Sequence, residues 1–422
     1  MTTDSLHRQS VASRIMTDDT ARHSGNKVRF GRVLRRAECV RKSAAPRSRR
    51  MEHSAWFMDL VAAARRRPGS EGGAEDSRHR QEAAVADTFQ IPSFYMPFPA
   101  RVNPHLQDVR PRVRAWAHSM GLLEPQHTES HHGGWSAEIF DRADFTRFTA
   151  LTYPHTSAVE LELLSGWHSV IWCLDDIFLP WCEALGKRDQ ILDRIERLMS
   201  FLPVATHFSP SGPTPQEPLE RALADLWRRT APSASLSWQF LYTRSLRQFL
   251  EASLWETENL TRHRFPDVIE QTEMRRDYGA AGCSALLMEH SLGWEITEDI
   301  RVTRPFNVLI NAFRDTVDLH NDIVSYPKEV REGVAKNNIV RVTQELHDLS
   351  LHDAVSFVNR VLTGRVRTLE ETVRTDLPQA LYDLPTNQHT QRAVLRHARA
   401  IQGWAAGSYH WHEDTDRYRC AA

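Results

Sequence analysis

The chain has 422 residues, of which 41% are hydrophobic and 25% charged, enough to bury a large core and too apolar for generic disorder. Its 53 Lys plus Arg against 54 Asp plus Glu leave a net charge of -1, which supplies no overall field for gripping nucleic acid or an anionic membrane. The balance is uneven. Residues 1–90 carry 18 basic and 11 acidic side chains and the remainder 35 and 43, so a basic leader precedes an acidic body able to set carboxylates against cations.

Residues 1–88 are rich in Arg, Ser, Ala and Gly, with runs such as Arg65, Arg66 and Arg67 and no sustained periodicity, and are expected to be a disordered leader. From Phe89 the sequence turns apolar and proline-punctuated, which suits an extended segment laid across a helical body. Asn103 followed by Pro104 predicts a helix start, with a kink at Pro111, and Leu106, Val109, Val113, Trp116 and Met120 supply the apolar stripe. The stretch from Val159 to Leu174 is apolar nearly all round, as expected of a helix packed among helices. Helical spacing recurs at Val355, Val358, Val361 and Leu362 and at Val394, Ala398, Ile401 and Trp404, while strand-like alternation is scarce. A single all-α domain over residues 89–422 is the expectation. The cysteines, Cys39, Cys173, Cys182, Cys283 and Cys420, are scattered and contain no C-x-x-C pair, which argues against a disulfide framework or zinc ribbon and for a reducing, cytoplasmic setting. No apolar run is long enough to cross a membrane.

Two constellations carry chemistry. Asp175 and Asp176 follow the interior helix, where unpaired burial would be expensive, so they emerge into solvent or face a cavity in which cations neutralise them. Asn321, Ser325 and Glu329 recur at i, i+4 and i+8, within roughly 80° of one another on a helix, and present the hard oxygen donors that Mg²⁺ takes. Arg275, Arg276, Lys328 and Arg417 with Tyr418 are suited to a phosphate partner. Trp172, Phe178, Phe313 and Trp404 are candidate lining residues whose rings would stabilise a cation in a closed cavity.

At these residues the chain resembles bacterial class I terpene synthases, and more closely the N-terminal, germacradienol-forming half of the germacradienol/geosmin synthases. The matches are Phe89 to Leu106, the Asp175-Asp176 pair, Glu273-Met274-Arg275-Arg276, Asn321 to Glu329, and the tail from His410 to Tyr418. The resemblance implies a helical bundle around a central cavity and a cyclase that ionises farnesyl diphosphate and closes the cation to a sesquiterpene. It assigns Asp175, Asp176, Asn321, Ser325 and Glu329 to three Mg²⁺ ions. Arg275 becomes the pyrophosphate sensor, Tyr278 the linker, Gly279 the effector whose carbonyl points into the pocket, and Lys328, Arg417 and Tyr418 the rest of the anion clamp.

Two departures stand out: Leu179-Pro180 replaces a later acidic residue, leaving Glu183 farther on, and Pro327 is expected to kink its helix and displace Glu329. The second, geosmin-completing domain of the two-domain relatives has no counterpart after Tyr418, so geosmin is not the expected product. The competing expectation is a non-catalytic descendant that binds a prenyl diphosphate or a protein. Oligomeric state, a homodimer included, is left open.

Overall fold

Helices account for nearly every apolar periodicity in the chain, and no strand occurs among the described residues. The computed structural model describes residues 89–123, 134–178, 180–182, 187–205, 212–262, 264–333 and 335–418, all within a unit of residues 54–422. The expected leader, Leu179 and Glu183 lie outside the described residues.

Helix α1 (Leu106–Met120) buries Leu106, Val109, Val113 and Ala117 and stops at Gly121, whose φ of 82° is the left-handed cap that glycine tolerates. Its start differs from expectation. The first helical residue is Leu106, with His105 at the boundary, and Asn103 still caps the entry, its Oδ1 accepting from the His105 amide at 2.9 Å while its Nδ2 donates 3.0 Å bonds to the carbonyls of Tyr153 and Thr156. Pro111 sits inside α1 without ending it.

Helices α2 (Ala137–Ala143) and α3 (Phe145–Thr152) meet at Asp144, which caps α3 through the Arg147 amide and pairs with Arg110 of α1. Helix α4 (Ala158–Cys173), capped by Ser157, buries Leu161, Leu164, Trp167 and Val170 completely. It is the predicted interior helix, packed against α1, α3 and α6 (Pro218–Thr230). Between α4 and α6 runs α5 (Arg188–Met199), joined to α6 by Glu220, which accepts from both Arg194 and Arg197.

The second half comprises α7 (Leu236–Thr261), α8 (Val268–Tyr278), α9 (Ala281–Ser291), the short α10 (Glu298–Arg301) and the 29-residue α11 (Arg304–Glu332). Then follow α12 (Ile339–His347), α13 (Leu351–Glu371), α14 (Leu377–Asp383) and α15 (Gln388–Asp414). Helix α11 packs against α8, α9, α13 and α15, and α15 packs against α3. That last approach is close enough that a Cβ on Gly407 would stand 2.3 Å from the Leu151 carbonyl oxygen, so only glycine fits.

Three interior tryptophans bury their rings and still satisfy their indole N–H groups: Trp167 donates to Thr230, Trp238 to Leu286 and Trp411 to Ala143. Phe89, Phe94, Met96 and Phe98 of the extended segment lie on the cluster around α11 and α13, and the Tyr95 hydroxyl donates to Glu370 at 2.8 Å. Cys173, Cys182 and Cys283 are buried free thiols.

Candidate active site

Beyond Cys173 the backbone widens into a π-helical turn, Leu174–Phe178, a local departure that interrupts α-helical register. In this turn both Asp175 and Asp176 line one cavity of about 640 Å³. Burial opposes ionisation of Asp176, but Arg417 and Lys328 outweigh it and hold the carboxyl below its usual range. Arg417 donates to both oxygens of Asp176 at 2.6 Å, and the Trp135 indole adds a third bond at 2.9 Å. Asp175 has the opposite character. Enclosure in the cleft and the charge of Asp176 push it up, although 43% of its side chain is open to the cavity.

Across the cavity, α11 presents Asn321, Ser325 and Glu329 on one face, as their spacing predicts. Pro327 removes one backbone donor, yet the helix runs on to Glu332 and ends at Gly333. Glu329 is not displaced from the cavity: it accepts from the Ser325 hydroxyl and, at 3.0 Å, from Asn338. Burial and the nearby Asp322 charge push Glu329 up to about 7.

The Asn321 amide is oriented by its neighbours. His412 sets its Nδ1 2.8 Å from the Ser408 carbonyl, so Nδ1 carries the proton and Nε2 accepts. The Asn321 Nδ2 therefore points to His412 Nε2 at 3.1 Å and to the Tyr418 hydroxyl at 3.0 Å. Its Oδ1 turns the other way, accepting from Arg275 Nη2 at 2.9 Å.

Arg275, on the last turn of α8, also donates to Asp322 at 2.8 Å, and its guanidinium lies 4.8 Å from the Tyr278 ring centre. Tyr278 serves as a platform, its hydroxyl tied to Gln271 and the Asn337 carbonyl. Adjacent Arg276 faces elsewhere and pairs with Asp315. Lys328 and Arg417 line the polar cavity with Tyr418, and Arg417 stacks 4.4 Å from the Trp172 ring centre.

Helix α8 ends at Gly279, and Ala280 adopts a left-handed φ of 56° before α9 begins, a conformation that costs a non-glycine residue about 1–2 kcal/mol. This break opens onto a second, deeper chamber of about 70 Å³, lined by Phe148, Trp172, Phe249, Gly279 and Trp404 among others. Trp172, Asp175, Arg275, Tyr278 and Asn321 border both cavities.

Two expected lining residues are not in either wall. Phe178, the last residue of the π-helical turn, is buried against Trp181, and Phe313 is buried behind Trp404, 5.2 Å from its ring centre. Conversely, Trp135 and Asp416 line the polar cavity and Asp318 the chamber without having been assigned from sequence. Asp318 lies three residues before Asn321, about 60° away on the helix, so helical arithmetic could have found it; no local signal marks Trp135.

An all-helical bundle with paired aspartates facing an Asn/Ser/Glu face across a basic-lined cavity defines the class I terpenoid synthase fold. Residues 166–368 match the family model described as terpene synthase family 2, C-terminal metal binding, and residues 1–71 match a family of unknown function. The chain is 27% identical to 7-epi-alpha-eudesmol synthase of Streptomyces viridochromogenes, over 78% of this chain and 92% of that protein. To pristinol synthase of Streptomyces pristinaespiralis it is 26% identical, over 76% and 83%. The structure superposes on germacradien-4-ol synthase from Streptomyces citricolor with a TM-score of 0.63 and 22% identity, covering 77% of this chain and 99% of that one. Together the metal-binding model, the sesquiterpene synthase relatives and the shared fold support a bacterial class I terpene synthase. No described helix is long and apolar enough to cross a membrane.

Proposed function

We propose that the protein is a Mg²⁺-dependent sesquiterpene cyclase that releases diphosphate from farnesyl diphosphate and closes the allylic cation to a germacradienol-like alcohol or hydrocarbon. The observation that carries this reading is the two-tier cavity. A polar tier of acids, amide, hydroxyl and arginines stands over an aromatic chamber, and Arg275 borders both. The reading agrees with the activity of the 7-epi-alpha-eudesmol synthase relative, which cyclises (2E,6E)-farnesyl diphosphate.

The donor set fits a divalent cation. Asp175, Asp176, Asn321, Ser325 and Glu329 offer only hard oxygens, and Asp175 and Glu329 are held above the usual carboxylate range by burial and neighbouring acids, a repulsion that added positive charge relieves. These residues would hold Mg²⁺, three ions by family likeness. When bound, the metal neutralises diphosphate charge and draws electrons from the scissile C–O bond.

The chain's own groups do the rest. Arg275, Lys328 and Arg417 donate to the departing diphosphate, and Tyr418, whose oxygen already accepts from Asn321, keeps its own proton to donate as well. Binding of the anion exchanges Arg417 from Asp176, which frees that carboxylate. Trp172 and Trp404 then face the cation and exclude water, and Gly279 at the helix break lines the same space. The reading assigns the cyclase to residues 89–422. Incubation with Mg²⁺ and geranyl, farnesyl or geranylgeranyl diphosphate, followed by gas chromatography and mass spectrometry, tests it. A cyclic sesquiterpene from farnesyl diphosphate is expected, and conversion of none of the three, with calorimetric uptake alone, would establish the non-catalytic binder instead.

A further inference from the structure

Asp318 projects from α11 into the wall of the aromatic chamber with only 2% of its surface exposed. Its Oδ2 has no hydrogen-bond partner among the described residues. The nearest cation, Arg275 Nη1, stands 3.9 Å from Oδ1, too far for a hydrogen bond, and Arg275 is already engaged by Asp322 and Asn321. The carboxyl abuts the α8–α9 break, since the Cβ position of Gly279 lies 2.1 Å from Oδ1.

Asp175, which also borders the chamber, opens to the polar tier as a proposed metal ligand, and the remaining histidine and tyrosine side chains of the wall are occupied. His168 lies between the Thr149 and Ser284 hydroxyls, His412 between Ser408 and Asn321, and the Tyr278 hydroxyl is bound to Gln271 and Asn337. A carboxyl without a hydrogen bond is costly to bury in a largely apolar wall. The charged groups around Asp318 are Arg275 from α8 and Arg314, Asp315 and Asp322 from α11. Burial is the largest influence, and together with the two acids it outweighs the arginines and pushes Asp318 up to about 7, where a carboxylate is both present and basic at neutral pH.

We propose that Asp318 is the general base that ends the cyclisation, removing a proton from the carbon next to the final cationic carbon. The C–H bond breaks, its electron pair becomes the new C=C bond, and the proton passes to Asp318, which returns it to solvent when the chamber opens. Of the two products proposed above, this step gives the hydrocarbon, and no other reactant is consumed. Departing diphosphate is held in the polar tier beyond Arg275, whereas Asp318 sits beside the hydrocarbon itself.

This inference rests on the cyclase reading, and one experiment separates their failures: with farnesyl diphosphate and Mg²⁺, cyclic olefin formed is measured per diphosphate released. In the wild-type protein the ratio is near unity. Asp318→Asn, which is isosteric and breaks no hydrogen bond, is expected to lower olefin formation by about 10²-fold, with diphosphate release falling far less, so the ratio collapses towards water-captured or acyclic products. Asp318→Glu, which keeps the base but moves it, retains olefin with a shifted double bond. An unchanged ratio in Asp318→Asn, or an identical product set in both variants, overturns the role of Asp318 while leaving the cyclase reading intact. Absence of diphosphate release from the wild-type protein overturns both, and a melting temperature for each variant identifies any loss that stems from folding.

Discussion

Replacing Gly279 by alanine presses on the junction of the two tiers. Its φ of -75° suits any residue, so no backbone strain follows, and alanine gains about 0.4–1 kcal/mol by stiffening the unfolded chain. Against this, the new Cβ would lie 2.1 Å from Asp318 Oδ1, 2.6 Å from its Cγ and 2.8 Å from the Arg275 carbonyl oxygen. Two of these partners are stiffly held: the Arg275 carbonyl is helix backbone, and Asp318 projects from the middle of α11. Relief needs a retreat of about 1 Å, at a steric cost of about 1–3 kcal/mol, so a net loss of about 1–2 kcal/mol and a melting point lower by a few degrees are expected. Because the shift moves Asp318 and Arg275 together, diphosphate release should fall by about 10²-fold. Gly364→Ala on α13, where a Cβ meets nothing within 4 Å, is the control and should stabilise by about 0.5–1 kcal/mol. Thermal melts and a coupled diphosphate-release assay read both variants. A Gly279→Ala protein with wild-type melting point and rate would refute the packing argument.

Glu220 is almost fully buried, at 2% exposure. Burial disfavours its charge, yet Arg197, the Gln216 amide and Arg194 lower its carboxyl from 4.5 to about 2. A depressed carboxylate stabilises above its unfolded value and loses that contribution as pH falls through the folded one, so Glu220→Gln should destabilise by about 3 kcal/mol at pH 7. Urea denaturation should show the deficit narrowing as pH falls from about 4.5 towards 2; a constant deficit would mean that charge is not its source. Trp404→Ala, which removes a ring packed edge-on against Phe148 and Phe313, should cost about 3–5 kcal/mol and change product proportions more than those of Phe313→Leu. Equal product shifts in the two variants would put Phe313 in the wall after all.

The polar tier was legible in sequence where its residues share a helix. Asn321, Ser325 and Glu329 repeat every fourth position and so had to fall on one face, which Pro327 does not break because the missing donor leaves only one carbonyl, that of Ile323, without its helical partner. Asp175 and Asp176 were legible as a pair, but not the π-helical turn that aims both inward, since nothing in Leu174–Phe178 distinguishes it from α-helix. Periodicity identifies buried aromatics without saying which layer they occupy, which is why Phe178 and Phe313 were placed one layer too far inward. Asn103 was legible as a capping residue, its Oδ1 accepting from the His105 amide, but nothing local shows that its Nδ2 also ties the segment to Tyr153 and Thr156 across 50 residues or more of chain. Trp135 and Asp416 reach the cavity from distant segments, and such convergence has no local signature.

The account stands or falls on whether metal, diphosphate and cyclisation are linked through Asn321. Product formation from farnesyl diphosphate should be followed with Mg²⁺, with chelator, and in Asn321→Ala, alongside calorimetric titration of Mg²⁺ with inorganic diphosphate. The account expects a cyclic sesquiterpene from the wild-type protein with Mg²⁺ alone, none with chelator, and a variant that melts like wild type yet neither turns over nor shows Mg²⁺-dependent diphosphate binding. Product formation that persists in chelator, or an Asn321→Ala protein with undiminished Mg²⁺-dependent binding and turnover, would contradict it.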